Sequence, residues 1–194
     1  FALDAGIPIL SEGSIKINFY AQIAALLGKT ENPINNKKQE AGYGLIPFGI
    51  GARFGPAKFN FEFRMVPEGR FEFGYFDRSY EIERATFELG VDNKGNIVTK
   101  SKKLGLYGRQ NGFFSSLTLN LGPLFDAKLA FQSLDGEMFN EQIRSFEEAS
   151  NQSFTSILKL KKPITKIETA NWFYQQRNVP NPFDFEYSES TITG

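Results

Sequence analysis

The sequence predicts an all-β, antiparallel protein. Polar and aromatic or apolar residues alternate without a break over 58–65, and a strand points successive side chains to opposite faces of a sheet. The chain has 21 Phe and 18 Gly, and aromatic residues favour strands while glycine favours turns. Turn-forming pairs such as Gly55-Pro56 separate the alternating segments, which predicts consecutive strands joined by turns.

Composition excludes several classes of function. Lys and Arg number 22, as do Asp and Glu, and no basic stripe is present that would bind nucleic acid. The chain has no Cys and no His, which excludes disulfides, thiolate nucleophiles and every Ser-His dyad. Carboxylate-pair chemistry and calcium sites with oxygen ligands remain compatible with the composition, but no carboxylate pair stands out as catalytic. We predict a non-enzymatic protein with no cofactor and no metal site.

The sequence also bears on how the chain could meet a membrane. No segment approaches the roughly 18 uninterrupted apolar residues of a membrane-spanning helix. A spanning β-strand needs only about 9–11 residues that are apolar at alternate positions. No signal peptide is visible and the chain starts at Phe1 rather than Met, so we expect a processed protein or a fragment.

The N-terminal part reads as strands and one loop. Residues 1–10 predict a short strand, and 14–25 alternate over a length that exceeds the usual five or six residues or so of a soluble strand. Residues 29–40 are a polar loop. Residues 41–54 are apolar and glycine-rich, and predict a strand despite Pro47.

Two phenylalanine-rich segments, 58–66 and 70–75, predict a hairpin. A loop over 67–69 would pair Phe63 with Phe73 and Arg64 with Glu72. Gly69 stands where such a loop needs a left-handed residue.

Residues 76–112 do not give one pattern. Residues 79–89 fit a short helix or a strand. Residues 92–96 resemble a calcium loop only faintly and predict a turn. The basic cluster 100–103 is expected on a solvated surface.

The C-terminal half predicts a second hairpin and further strands. Alternation over 113–121 continues after the turn 122–124. In the polar stretch 135–152, Phe139, Ile143 and Phe146 have helical spacing.

Beyond this stretch, a strand is predicted over 153–161 and a tight turn at Lys162-Pro163. Another strand follows over 164–175, then a loop over 176–182. A last strand would carry Phe183, Phe185 and Tyr187.

Connection lengths complete the pattern. Short turns are predicted near 12, 55, 123 and 163, and long polar connections between them. With antiparallel neighbours, short turns then collect at one end of the sheet and long loops at the other.

In the strands SIKINFYAQIAALL, KFNFEFRMV, FFSSLTLNLGPLFDAKLAFQSL and SILKLKKPITKIETANWFY, the chain resembles a bacterial outer-membrane β-barrel. The resemblance implies one antiparallel transmembrane barrel over 1–194 with about 8–10 or more strands, either as a whole barrel or as part of a longer one. It implies an outer-membrane location, contact with lipid, and a structural or pore-like role in passage of small solutes. The chain departs from the pattern by ending in Thr-Ile-Thr-Gly instead of a terminal aromatic residue.

The barrel interpretation assigns residues to three environments. The lumen would contain Lys16, Asn18, Gln22, Lys58, Glu62, Arg64, Asp126, Lys128 and Glu168. Lipid would contact Ile15, Ile17, Phe19, Phe59, Phe61, Phe63, Leu117, Leu119, Leu129 and Phe131. An interfacial aromatic girdle would contain Phe113, Phe114, Trp172, Phe173 and Tyr174. Because the lumen set mixes both signs of charge, weak ion selectivity is expected.

A second interpretation stays open. The same pattern fits a soluble β-clam or sandwich, periplasmic or secreted, that binds an apolar or carbohydrate ligand against its aromatic face. The two differ in which face is covered, since a barrel encloses its polar side and a soluble module encloses its apolar side.

Overall fold

A computed structural model describes residues 1–77, 80–89, 95–164, 166–184 and 191–193. β-Strands make up 67% of the structure, which confirms the predicted all-β, antiparallel class. Two short helices are α1 (Tyr80–Glu83) and α2 (Lys100–Lys103), the second followed by a 3-10 turn over Leu104–Leu106. The strands are β1 (Ala2–Glu12), β2 (Ile15–Ala25), β3 (Lys29–Glu31), β4 (Lys38–Glu40), β5 (Tyr43–Phe54), β6 (Ala57–Val66), β7 (Ala85–Leu89), β8 (Gly95–Thr99), β9 (Tyr107–Leu121), β10 (Phe125–Asn140), β11 (Ser145–Leu160), β12 (Asn171–Val179) and β13 (Thr191–Thr193).

One nine-stranded antiparallel sheet dominates the fold, in the order β1-β2-β5-β6-β9-β10-β11-β12-β13. Each strand therefore lies beside the sheet strand that precedes it in the chain. The pairs β3-β4 and β7-β8 form separate two-stranded hairpins. Within the described ranges no pairing joins β1 to β12 or β13, so the sheet has two open edges and does not close into a barrel.

The register sorts the side chains onto two faces. Phe63 lies opposite both Phe48 of β5 and Phe113 of β9, so apolar positions of neighbouring strands share one side. We call this side the apolar face; it carries Ile7, Ile15, Ile17, Phe19, Phe48, Ile50, Phe59, Phe61, Phe63, Phe113, Leu117, Leu119, Leu129, Phe131, Phe154, Leu158, Trp172 and Tyr174. The opposite side, the polar face, carries Lys16, Asn18, Tyr20, Gln22, Arg53, Lys58, Asn60, Glu62, Arg64, Ser116, Thr118, Asp126, Lys128, Gln132, Thr155, Gln175 and Arg177.

Connections of different length collect at the two ends of the sheet. At one end, the turns around Gly13, Gly55 and Gly122 join β1-β2, β5-β6 and β9-β10, and residues 161–170 join β11-β12. At the other end lie the connections 26–42 and 67–106, and the short turn 141–144 at the tip of the longest hairpin, β10-β11. The predicted difference in connection length between the two ends of the sheet therefore holds except at this tip, where the strands are long and the turn is short.

The predicted hairpin of 58–66 with 70–75 is wrong. β6 pairs with β5 and β9, and Arg64 lies opposite Gly112 of β9. Gly69 does have a left-handed φ of 72°, but Arg70 follows with a φ of 56°. The two turns carry the chain out of the sheet, and 71–77 fold across the polar face. Any two alternating segments can pair with their apolar sides on the same face. Alternation alone therefore could not identify β9 as the partner of β6.

The predicted helix around Phe139, Ile143 and Phe146 is also wrong. Phe139 of β10 pairs with Phe146 of β11 across the turn 141–144, with ring centroids 5.3 Å apart. The Asn140 Oδ1 accepts the backbone N–H of Gln142 at 2.8 Å and so stabilises the turn. Residues seven positions apart can lie on one face of a helix. They can also pair across a hairpin whose turn has four residues.

Three smaller predictions need correction. The chain after β11 makes no tight turn at Lys162-Pro163; an irregular connection runs to Ala170, and β12 continues through Val179. Glu168 therefore lies in a connection rather than in a strand. Lys100 in the basic cluster is 3% exposed rather than solvated.

The region 79–89, which fitted either structure, contains helix α1 and then strand β7, although Ser79 itself is not described. The short polar hairpin β3-β4 interrupts the predicted loop 29–40. The predicted turn at 92–96 lies mostly outside the described residues, as do Phe185 and Tyr187 of the predicted last strand.

The close contact between β9 and β10 at Gly112 leads to the first prediction. A Cβ at this glycine would overlap the backbone carbonyl oxygen of Ser133, and backbone cannot move aside as a flexible side chain can. Gly112→Ala should lower the free energy of unfolding by about 1–3 kcal/mol, measured by denaturant titration.

Gly6→Ala is the matched control, since its Cβ would meet its nearest neighbour, the carbonyl oxygen of Phe19, at an ordinary 3.5 Å. Equal stability of the two variants would contradict the strand register.

Candidate functional site

The covered side of the sheet is the polar face. Residues 70–77, which we call the inner segment, lie across it, and Phe71 and Glu72 are 5% and 7% exposed. The backbone of Arg70 fixes one end: its N–H donates to the Tyr107 carbonyl at 2.8 Å, and its carbonyl accepts from Gly42 at 2.9 Å. Because these partners begin β9 and precede β5, the segment is tied to the sheet at the end with long connections.

A buried ionic cluster holds the other end of the inner segment. Glu72 contacts the Arg177 guanidinium of β12, and Asn178 Nδ2 donates to the same carboxylate at 3.0 Å. Arg177 Nη1 also lies 2.8 Å from Asp77 Oδ2. Lys100 Nζ lies 2.7 Å from Glu83 and 4.0 Å from Glu72. Buried charges are tolerated when they are paired with opposite charges. Here the ion pairs join the inner segment, α1 and α2 to β12.

An apolar cluster supports the same region. Tyr75 packs with Leu104 and Tyr107 in a buried group, and Lys100 Nζ lies 5.3 Å from the centroid of the Tyr75 ring. Burial, with the nearby Tyr80 and Glu72, raises the pKa of the Tyr75 hydroxyl. The phenol therefore stays protonated at neutral pH and adds no charge to the cluster.

A second polar network crosses five neighbouring strands, β2, β5, β6, β9 and β10, at mid-sheet. The Tyr20 hydroxyl of β2 donates to Glu62 Oε1 at 2.8 Å. Glu62 Oε2 lies 2.6 Å from Arg64 Nη2, and Arg64 Nη1 donates to Gln132 of β10. Gly49 of β5 lies between Tyr20 and Glu62 in the register; a Cβ there would be 2.5 Å from the Tyr20 ring. The glycine therefore leaves the space through which Tyr20 reaches Glu62.

Aromatic rings fix the position of Arg64. Its guanidinium carbon lies 3.9 Å from the centroid of Phe114 on β9 and 4.6 Å from that of Phe73 on the inner segment. Cation–π contacts of this kind are worth about 0.5–2 kcal/mol, the larger values applying to desolvated groups. Arg64 thus connects the wall of the sheet to the segment that covers it.

A cavity of about 310 Å³ lies between the inner segment and the sheet. Side chains from the polar face of five successive strands, β6 and β9 to β12, line this one space, so the sheet curves around it. Among the lining residues are Arg64, Phe114, Lys128, Gln132, Ile157 and Gln175. The cavity offers a polar, partly aromatic surface to a small solute.

The structure brings most of the predicted site residues together by face. Eight of the nine lumen candidates lie on the polar face; the ninth, Glu168, is exposed in the connection before β12. All of the lipid candidates lie on the apolar face. The girdle candidates lie on both faces of the sheet. Phe113, Trp172 and Tyr174 lie on the apolar face, whereas Phe114 and Phe173 lie on the polar face.

Sequence reasoning missed the residues of the ionic cluster. Alternation places Glu72 in a predicted strand, and Arg177 lies in the predicted loop 176–182. Arg177 lies four positions after Phe173, so in a continued strand it shares the face of Phe173; this spacing is the one signal that β12 extends through Arg177. Nothing in the sequence pairs it with Glu72.

Comparisons with known protein families, curated proteins and solved structures find no match to this chain. None of the helices in the described part of the chain is long and apolar enough to cross a membrane. The described residues contain no group of three His, Cys, Asp or Glu side chains placed to hold a metal ion.

Removing one charge from the buried cluster tests its role. Glu72→Gln keeps the shape of the side chain but leaves Arg177 with less compensation for its lost hydration. We expect a loss of about 3 kcal/mol in the free energy of unfolding, measured by denaturant titration.

Glu81→Gln provides the control, since Glu81 forms an ion pair with Arg84 at a side-chain exposure of 77%. Such a surface pair should contribute less than about 1 kcal/mol. A Glu72→Gln variant as stable as this control would show that the cluster does not hold the inner segment.

Proposed function

We propose that the chain forms the wall of a bacterial outer-membrane β-barrel, with a structural or pore-like role in the passage of small solutes and no catalytic activity. One observation carries the proposal: the apolar face of the sheet is exposed, while the inner segment covers the part of the polar face around Arg64 and Arg177. A protein that folds in water buries its apolar side chains. Lipid is the medium that would favour the opposite arrangement.

The exposure of the apolar face extends across the sheet. Ile7 of β1 is 67% exposed, Leu129 of β10 is 44% exposed and Trp172 of β12 is 50% exposed. Phe183 shields part of this face by stacking on Phe131, with centroids 6.0 Å apart. Water-soluble monomers rarely leave a continuous apolar surface of this extent uncovered.

The height of the apolar surface supports a membrane environment. Along β9 it extends from Phe113 to Leu121, which is about 26 Å along the strand at about 3.3 Å per residue and about 20 Å along the membrane normal at a strand tilt of about 40°. Beyond Phe113 the same face becomes polar, with Asn111 and Arg109, and Asp135 lies opposite Asn111 on β10. A band about 25 Å tall that ends in polar strand extensions is typical of outer-membrane barrels.

The polar face supports passage of a solute rather than a solid core. Its buried charges are compensated within the protein, and the cavity beneath the inner segment keeps polar side chains accessible. Closing the wall requires partners for the open edges of β1 and β13, and the proposal includes such partners. The alternative, a soluble all-β module that binds an apolar or carbohydrate ligand on the aromatic face, remains the competing function.

Trp172 allows a direct test, because it is the single tryptophan of the chain and lies on the apolar face. After refolding into phospholipid vesicles, lipids brominated on their acyl chains should quench its fluorescence strongly. Shallow bromines should quench more than deep ones, because Trp172 lies near the end of the sheet with short turns.

The double variant W172F/F173W is the matched control, since it moves the indole to the polar face, where Phe173 is 9% exposed. Quenching should fall in this variant. Equal quenching of both proteins, or none of either, would contradict a lipid-facing apolar surface.

Detergent dependence and conductance provide a second test. We expect the protein to require detergent for solubility, to migrate on gels in a heat-modifiable way, and to produce discrete conductance steps in planar bilayers. A monodisperse monomer in detergent-free buffer would favour the soluble binding module instead.

A further inference from the structure

Basic residues on the polar face fall into one row of the register. Lys16 of β2 lies opposite Arg53 of β5, and Arg53 lies opposite Lys58 of β6. The same row continues through Thr118 of β9 to Lys128 of β10. Neighbouring strands lie about 4.8 Å apart, so the backbones of the first three cations fit within about 10 Å. We call Lys16, Arg53, Lys58 and Lys128 the basic row.

No carboxylate compensates the basic row. Within the described residues, none of its cations has a carboxylate oxygen within 4.0 Å, whereas the nearby acids are already paired. Asp126, one row nearer the short turns, lies 3.4 Å from Lys161. Glu62, two rows further in, lies 2.6 Å from Arg64. The charges of the predicted lumen are therefore separated by sign: the basic row contains only cations, and the carboxylates lie in other rows.

Like charges directly opposite one another in a sheet are unfavourable. An arrangement that repeats across three adjacent strands is stabilised when an anion lies between the cations. All four side chains are exposed, so a ligand can reach them. Lipid head groups would meet the opposite, apolar face under the proposed function, which leaves a dissolved anion as the ligand.

We propose that the basic row binds small multivalent anions that carry phosphate or carboxylate groups, and that the barrel favours such solutes over cations. Binding at the row requires only the folded sheet. The preference during passage rests on the proposed pore. The inference replaces the weak ion selectivity expected from the mixed composition with a preference for anions.

Calorimetric titration of the detergent-folded protein with pyrophosphate at low ionic strength tests the binding site. The wild type should bind, and binding should weaken as salt is added. Lys58→Gln and Lys128→Gln should each weaken binding about three- to tenfold, since each removes one nearby charge.

Lys37→Gln is the control, because Lys37 is exposed between β3 and β4, outside the sheet. It should bind as the wild type does. Trp172 fluorescence verifies that the variants fold, and two separate variants guard against failure of one. No binding by the wild type, or an equal loss in Lys37→Gln, would overturn the inference.

Reversal potentials in planar bilayers under a salt gradient separate the inference from the pore proposal. Channels that prefer anions, with the preference reduced in Lys58→Gln, support both. Channels that prefer cations overturn the anion preference and leave the pore intact. Binding of pyrophosphate without any channel supports the site and overturns the pore.

Discussion

A β-strand can direct its side chains to only two sides, and this constraint determines how the molecule is organised. Once Phe59, Phe61 and Phe63 share a side, Lys58, Glu62 and Arg64 must share the other. Hydrogen-bonded neighbours then extend the choice from strand to strand, because a shift of one residue would exchange the faces. The pairing register therefore repeats the same assignment of apolar and polar faces in every strand from β1 to β12.

The polar face then creates an energetic problem that the inner segment resolves. Covering Arg64 and Arg177 removes them from water, which is unfavourable unless each finds a compensating partner. Glu62 lies on the same strand as Arg64, so β6 supplies its own compensation. The charge of Arg177 is instead compensated by Glu72, which lies in a connection 105 positions earlier in the chain. The cover and the charges it covers are therefore interdependent.

The sequence predicts the local part of this structure well. Alternation located β2, β5 and most of β9 and β10, because a period of two is a property of each segment alone. It could not choose partners: 71–75 and 117–121 alternate equally well, and only the three-dimensional fit places β9 beside β6. The same limit concealed the Phe139–Phe146 pair and the contact of Glu72 with Arg177. The face assignments were accessible from sequence; the inner segment, which depends on long-range contacts, was not.

The attachment of the inner segment has a consequence for the order of assembly. The segment is bound to the start of β9 at one end and to β12 at the other, with the curved wall between them. The hairpins up to β6 can form from strands that are near in the chain, whereas the contact of Glu72 with Arg177 joins residues 105 positions apart. We expect this contact to form late, because closing a long loop costs entropy before the contact is made.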